Sequence, residues 1–130
     1  MSLESARRAL SESATSFMQL AREEAAHGYD TNDLRHVRDA AEKAWLAVIQ
    51  ATDAALGRHG LVPEPGPRAH QTRHEFLQQR GRDDLSKQLH EMADRLHARY
   101  FYYGELPARA RLEAALEEAA DYIRRVTDEI

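Results

Sequence analysis

The sequence predicts an all-α fold, an antiparallel bundle of about five helices in a single domain of 130 residues: two long, one short, two long. Three observations carry this. Apolar residues recur in steps of three and four through four long segments. No segment alternates apolar and polar residues with β-rich composition. Proline and glycine cluster only at residues 61–69, which divide two helical halves without a shift in composition.

Each element has its own signals. Residues 2–27 read as the first helix, with Ser2 as its cap and Leu3, Leu10, Phe17 and Ala21 as its stripe. Met18 and Leu20 widen the stripe, and Gly28 is the expected stop. Asn32 or Asp33 starts a second helix that runs to about His59 and ends at Gly60. Its stripe is Leu34, Val37, Ala41, Ala44, Val48, Ala51 and Ala55. A second stripe, Trp45, Ile49, Thr52 and Leu56, lies beside the first. Together they span an arc of about 160°, so this helix is expected to be central. Residues 70–80 form a short third helix around Phe76 and Leu77. Gly81 breaks it, and Asp83 or Asp84 caps a fourth. The fourth places Leu85, Leu89, Met92, Leu96, Tyr100 and Tyr103 on one face. Gly104 and Pro107 separate it from a fifth, whose stripe is Leu112, Leu116, Ala119, Ile123 and Val126.

Composition narrows the function classes. The formal net charge of −4 argues against a generic nucleic-acid binder, although a local basic patch is compatible with it. The absence of cysteine excludes disulfides, Fe–S clusters and thiolate metal sites. No apolar run is long enough for a signal peptide or a membrane span, so a cytoplasmic protein with no membrane association is expected.

Residues 95–104 are the expected place of function. Tyr100, Phe101, Tyr102 and Tyr103 stand in a row, preceded by Arg95, Leu96, His97 and Arg99 and followed by Gly104. Four consecutive aromatics on a helix point in all directions, so one stripe cannot bury them all. Arg95, His97, Arg99, Tyr100, Tyr102 and Tyr103 are therefore the candidate ligand-binding residues. Rings would stack on a base, arginines would hold phosphate, and His97 would meet Tyr100 three positions on. The competing reading makes Leu96, Tyr100 and Tyr103 core and packs Phe101 or Tyr102 in a dimer interface.

Two stretches carry a family resemblance. One is Ala40-Ala41-Glu42-Lys43-Ala44-Trp45-Leu46-Ala47 with the apolar stripe and His59-Gly60 that follow. The other is residues 93–104, with Leu96-His97 ahead of Tyr100 and Tyr103. The chain resembles the HEPN-like superfamily of small helical bundles, in a branch with a Leu-His-then-aromatic signature. The resemblance implies a homodimer, with a nucleotidyltransferase partner or a nucleotide or RNA ligand. Its catalytic members are metal-independent RNases that carry an Arg and then, after four to six intervening residues, a His near the fourth helix. No His follows Arg95 or Arg99 at that spacing here. The spacing occurs at Arg22 with His27 and at Arg68 with His74, no more often than this composition supplies. The resemblance therefore implies a non-catalytic binding or partner module, with no catalytic residue assigned. A metal-independent RNase is the first alternative.

The second alternative is a metal-dependent helical hydrolase. Glu91 with Asp94 and Glu118 with Asp121 have the spacing of paired acidic motifs, but periodicity places them away from the apolar stripes, with Glu91–Arg95 and Asp121–Arg125 as expected ion pairs. His70 and His74 share a helix face at i, i+4, and His90, Asp94 and His97 align similarly. Such spacings arise readily in a helix rich in histidine, so exposed histidines are expected, with no metal and no cofactor.

Overall fold

The computed structural model describes residues 2–130, and of Leu3 the backbone alone. Leu3, placed on the first stripe above, thus has its side chain outside the described residues. Five helices form the bundle: α1 (Leu3–Asp30), α2 (Leu34–Arg58), α3 (Arg68–Gln79), α4 (Asp83–Met92) and α5 (Arg109–Glu129). The helix of α4 does not end at Met92. It continues directly into ten residues of π-helix, Ala93–Tyr102.

Ser2 caps α1, its side chain accepting from the Ser5 amide. The helix then runs through Gly28 rather than stopping there. A Cβ at Gly28 would stand 2.8 Å from Val37 Cγ2, so this glycine lets α1 and α2 approach closely. The stop is Asn32, at φ +55°. The Asp33 amide donates to the Gly28 carbonyl at 2.8 Å and the Asn32 amide to that of Tyr29 at 3.3 Å, a Schellman closure with asparagine in the left-handed position. The same closure recurs at Gly60, where the Leu61 amide reaches the Leu56 carbonyl at 3.0 Å.

As its wide apolar arc requires, α2 is central. It packs along α1 and against α5, the π turns and α3. Val37, Ala41, Ala44, Val48, Ala51, Ala55, Trp45, Thr52 and Leu56 are all buried. Leu10, Phe17, Ile49 and Ile123 are partly buried, and two expected stripe members of α1 and α2 are exposed. Leu34, in the first turn of α2, is 54 % exposed, and Leu20 of α1 is also exposed. Leu46, outside the arc, is exposed as the periodicity requires. A core residue absent from the expected stripes is Tyr122 of α5. It is fully buried, and its hydroxyl shares a 2.8 Å hydrogen bond with Thr52 Oγ1.

The fourth face needs a second correction. Leu85, Leu89, Met92, Leu96 and Tyr100 are buried, but Tyr103 is 68 % exposed. A π-helix bonds i to i+5 and fits more residues into each turn, so a stripe spaced for an α-helix drifts off the core. The Tyr103 amide donates to the Ala98 carbonyl at 2.8 Å, and the helix ends there. No described helix is long and apolar enough to cross a membrane.

Candidate functional site

The π turns are tied to α2 by Arg38. Its Nε donates to the Phe101 carbonyl at 2.7 Å and its terminal nitrogen to that of Tyr102 at 3.1 Å. These carbonyls end a helix and have no partner within it, so the guanidinium satisfies them and favours the negative end of the helix dipole. Gly104, at φ +68°, turns the chain over this contact, where a Cβ would lie 3.5 Å from Arg38 Cζ. The Glu105 amide then returns to the Arg99 carbonyl at 2.9 Å. Further on, Tyr29 donates from its hydroxyl to the Pro107 carbonyl at 2.8 Å and fixes the approach to α5.

This path builds a groove of about 560 Å³ between the π turns and the start of α5. It is lined by Arg95, Arg99, Tyr100, Glu105, Leu106, Pro107, Arg111 and Ala114. Arg95 reaches Glu118 at 2.7 Å and Arg99 reaches Asp94 at 3.1 Å. Both pairs are about half exposed, a setting in which an ion pair contributes only ~0–1 kcal/mol. A stronger anion could therefore displace the carboxylates at small cost. The Arg111 amide donates to the Ala108 carbonyl at 3.0 Å, and its guanidinium has no hydrogen-bond or ion-pair partner among the described residues. Three arginines thus line one recess together with Tyr100 and the apolar Leu106 and Pro107.

The remaining candidates lie elsewhere. His97 faces α2, its Nδ1 2.8 Å from a Glu42 carboxylate oxygen. It stacks on Phe101 (centroids 6.2 Å apart, planes at 23°) and lies 6.0 Å from Trp45. The expected meeting of His97 with Tyr100 is not formed, because the wider π turn brings residue i+4 over residue i. Tyr102 and Tyr103 stand in solvent, 67 % and 68 % exposed, edge to face with centroids 5.2 Å apart. The six sequence candidates thus divide three ways: Arg95, Arg99 and Tyr100 in the groove, His97 against α2, and the two tyrosines projecting outward. Arg38 and Arg111 escaped the sequence reading. An Arg in the first turns of a helix carries no local signal of what it faces across a loop.

Histidines gather on the α3 side. His70 and His74 bring their Nε2 atoms to 3.1 Å, and His74 Nδ1 lies 2.7 Å from Ser86 Oγ. Both rings are half-buried rather than exposed as expected. Burial lowers the pKa of each, with repulsion from His74, Arg73, His90 and His97 adding for His70 and from His90 for His74. Both are therefore neutral at pH 7. The acidic pairs do not converge. Glu118 is held by Arg95, Asp94 by Arg99 and Asp121 by Arg124. The expected Glu91–Arg95 and Asp121–Arg125 pairs are replaced by reaches between elements, Arg95 to Glu118 and Arg125 to Asp84, and by Arg125 to Glu129 one turn on. Among the described residues no three histidine or carboxylate side chains come together as a metal cluster.

Comparison with family models, curated proteins and solved structures found no match to this chain.

Proposed function

We propose that this chain is a non-catalytic HEPN-like binding module that holds a nucleotide or a short RNA strand in the groove between the π turns and α5. The observation that carries this reading is the convergence of Arg95, Arg99 and Arg111 on one recess edged by Tyr100. Guanidinium groups match phosphate oxygens as two-donor forks. A recess of some 560 Å³ is within the range of small-ligand sites. The nearby Tyr102 and Tyr103 offer ring faces on which bases stack.

Binding is favoured over cleavage by the divergence of the polar groups. Arg95 reaches to α5 while His97 turns to Glu42 on α2, so these two do not face a common phosphodiester. The other two spaced pairs are no better placed. Arg22 bonds Glu117 on α5, whereas His27 packs edge-on against His36. His74 is engaged by Ser86 and His70, and Arg68 lines a separate recess.

The reading includes a cytoplasmic homodimer. Leu46, Tyr102 and Tyr103 leave apolar surface uncovered, and surfaces of this kind serve as interfaces. Light scattering at micromolar concentration tests that part, and a monomer mass removes it. The binding claim is tested by titrating labelled single-stranded RNA and nucleotides against wild type and Arg111→Ala, with cleavage followed in parallel without metal. Saturable binding weakened by the substitution supports the proposal. Metal-free cleavage abolished by His27→Ala or His74→Ala would replace it with an RNase.

A further inference from the structure

We infer that His70 and His74 form a binding site for a late first-row divalent cation, Ni²⁺, Cu²⁺ or Zn²⁺, with water completing the coordination shell. The site is separate from the arginine groove and does not rest on what that groove binds.

The two residues are one turn apart on α3, so their side chains share a face. Their rings stand nearly perpendicular with centroids 4.5 Å apart, and their Nε2 atoms are 3.1 Å apart. A cation ~2.0–2.1 Å from each nitrogen, the usual distance to imidazole, would subtend an angle of roughly 95–100°. That lies between the angles of octahedral and tetrahedral sites. Imidazole pairs suit Ni²⁺, Cu²⁺ and Zn²⁺ rather than Mg²⁺ or Ca²⁺, which require oxygen ligands.

The surroundings hold the pair in this pose. Ser86 is buried and lies 2.7 Å from His74 Nδ1. With the Nδ1 proton donated to Ser86 Oγ, the tautomer is fixed and the Nε2 lone pair is left for a cation, as outer-shell partners of ligating histidines do. His70 packs edge-on to Trp45, centroids 6.0 Å apart. The positive charge nearest in sequence, Arg73, is neutralised by a two-bond contact with Asp53 at 2.7 and 3.0 Å. Beside His74 a recess of about 380 Å³, lined by Gln78, Asp83, Ser86, Lys87 and His90, opens to solvent.

The test is isothermal titration of the tag-free full chain with NiCl₂, CuCl₂ and ZnCl₂, with MgCl₂ as the comparison. One equivalent of each late metal should bind, and no Mg²⁺. His70→Ala should weaken binding at least tenfold with an unchanged circular dichroism spectrum, while His27→Ala leaves binding intact. A readout on the unaltered protein guards against unfolding: on adding Zn²⁺, the imidazole ¹⁵N resonances of His70 and His74 should shift at Nε2. Absence of stoichiometric binding, binding untouched by His70→Ala, or Zn²⁺-induced shifts at His27 and His36 instead would overturn the inference.

Discussion

The Arg38 guanidinium donates to the Phe101 carbonyl at 2.7 Å, across 63 residues of sequence, and so holds the end of the π turns against α2. A second bond to the Tyr102 carbonyl makes the contact two-pronged. A hydrogen bond with one charged partner contributes about 1.5–3 kcal/mol net. Arg38 is exposed, so solvent competes for both bonds and Arg38→Ala should destabilise the fold by less than that, about 1 kcal/mol. Its distinctive effect is local: faster amide exchange at Tyr103 and Glu105, whose bonds close the same turn, than in the rest of the bundle. Uniform exchange across the chain would show that Arg38 does not organise this segment.

Val48 is fully buried at the centre of α2. Val48→Asp places a carboxylate there with no cation to meet it, and an unpaired buried charge costs several kcal/mol even after it takes up a proton. Chemical denaturation should show loss of most of the stability. A variant as stable as wild type would mean that this face is not core.

Thr52 and Tyr122 give a pH prediction with a definite sign. Burial raises the Tyr122 pKa far above that of an exposed phenol, while the hydrogen bond with Thr52 works the other way. The folded state thus keeps this proton where the unfolded chain has lost it. Stability from this group is complete below about pH 10, the unfolded value, and falls as pH rises past it. Tyr122→Phe should cost about 1 kcal/mol at pH 7, one neutral hydrogen bond, since Thr52 still donates to the Val48 carbonyl at 2.8 Å. It should also flatten the decline in stability above pH 10. Unfolding curves from pH 7 to 11 that decline equally in both proteins would contradict this.

Much of the fold was legible because its signals are local. The steps of three and four along α2 identify Val37 through Leu56 as core, and Gly60 and Gly81 end helices where the sequence places breaks. Gly28 misled because a glycine near a helix end serves either a reversal or a close approach, and only the position of Val37 decides between them. The site was half legible. Arg95 and Arg99 share a groove as their common turn suggests, but the π turns moved His97 onto Phe101 and put Tyr103 in solvent. Nothing in composition or periodicity marks an α-helix that widens. Arg111 joins the groove through the loop after Gly104, a tertiary juxtaposition that helical spacing does not encode.

The three arginines are proposed to make this groove an anion site, and Arg111 is the sharpest probe because its charge is unengaged. Fluorescence anisotropy of a labelled RNA oligonucleotide at 50 and 200 mM salt, on wild type and Arg111→Ala, reads it directly. Binding should be saturable and should weaken with salt as counterions are released. Arg111→Ala should lower affinity about tenfold or more and reduce the salt slope by about one phosphate contact. Binding that Arg111→Ala leaves unchanged, or no binding at 50 mM salt, would show that the groove is not an anion site.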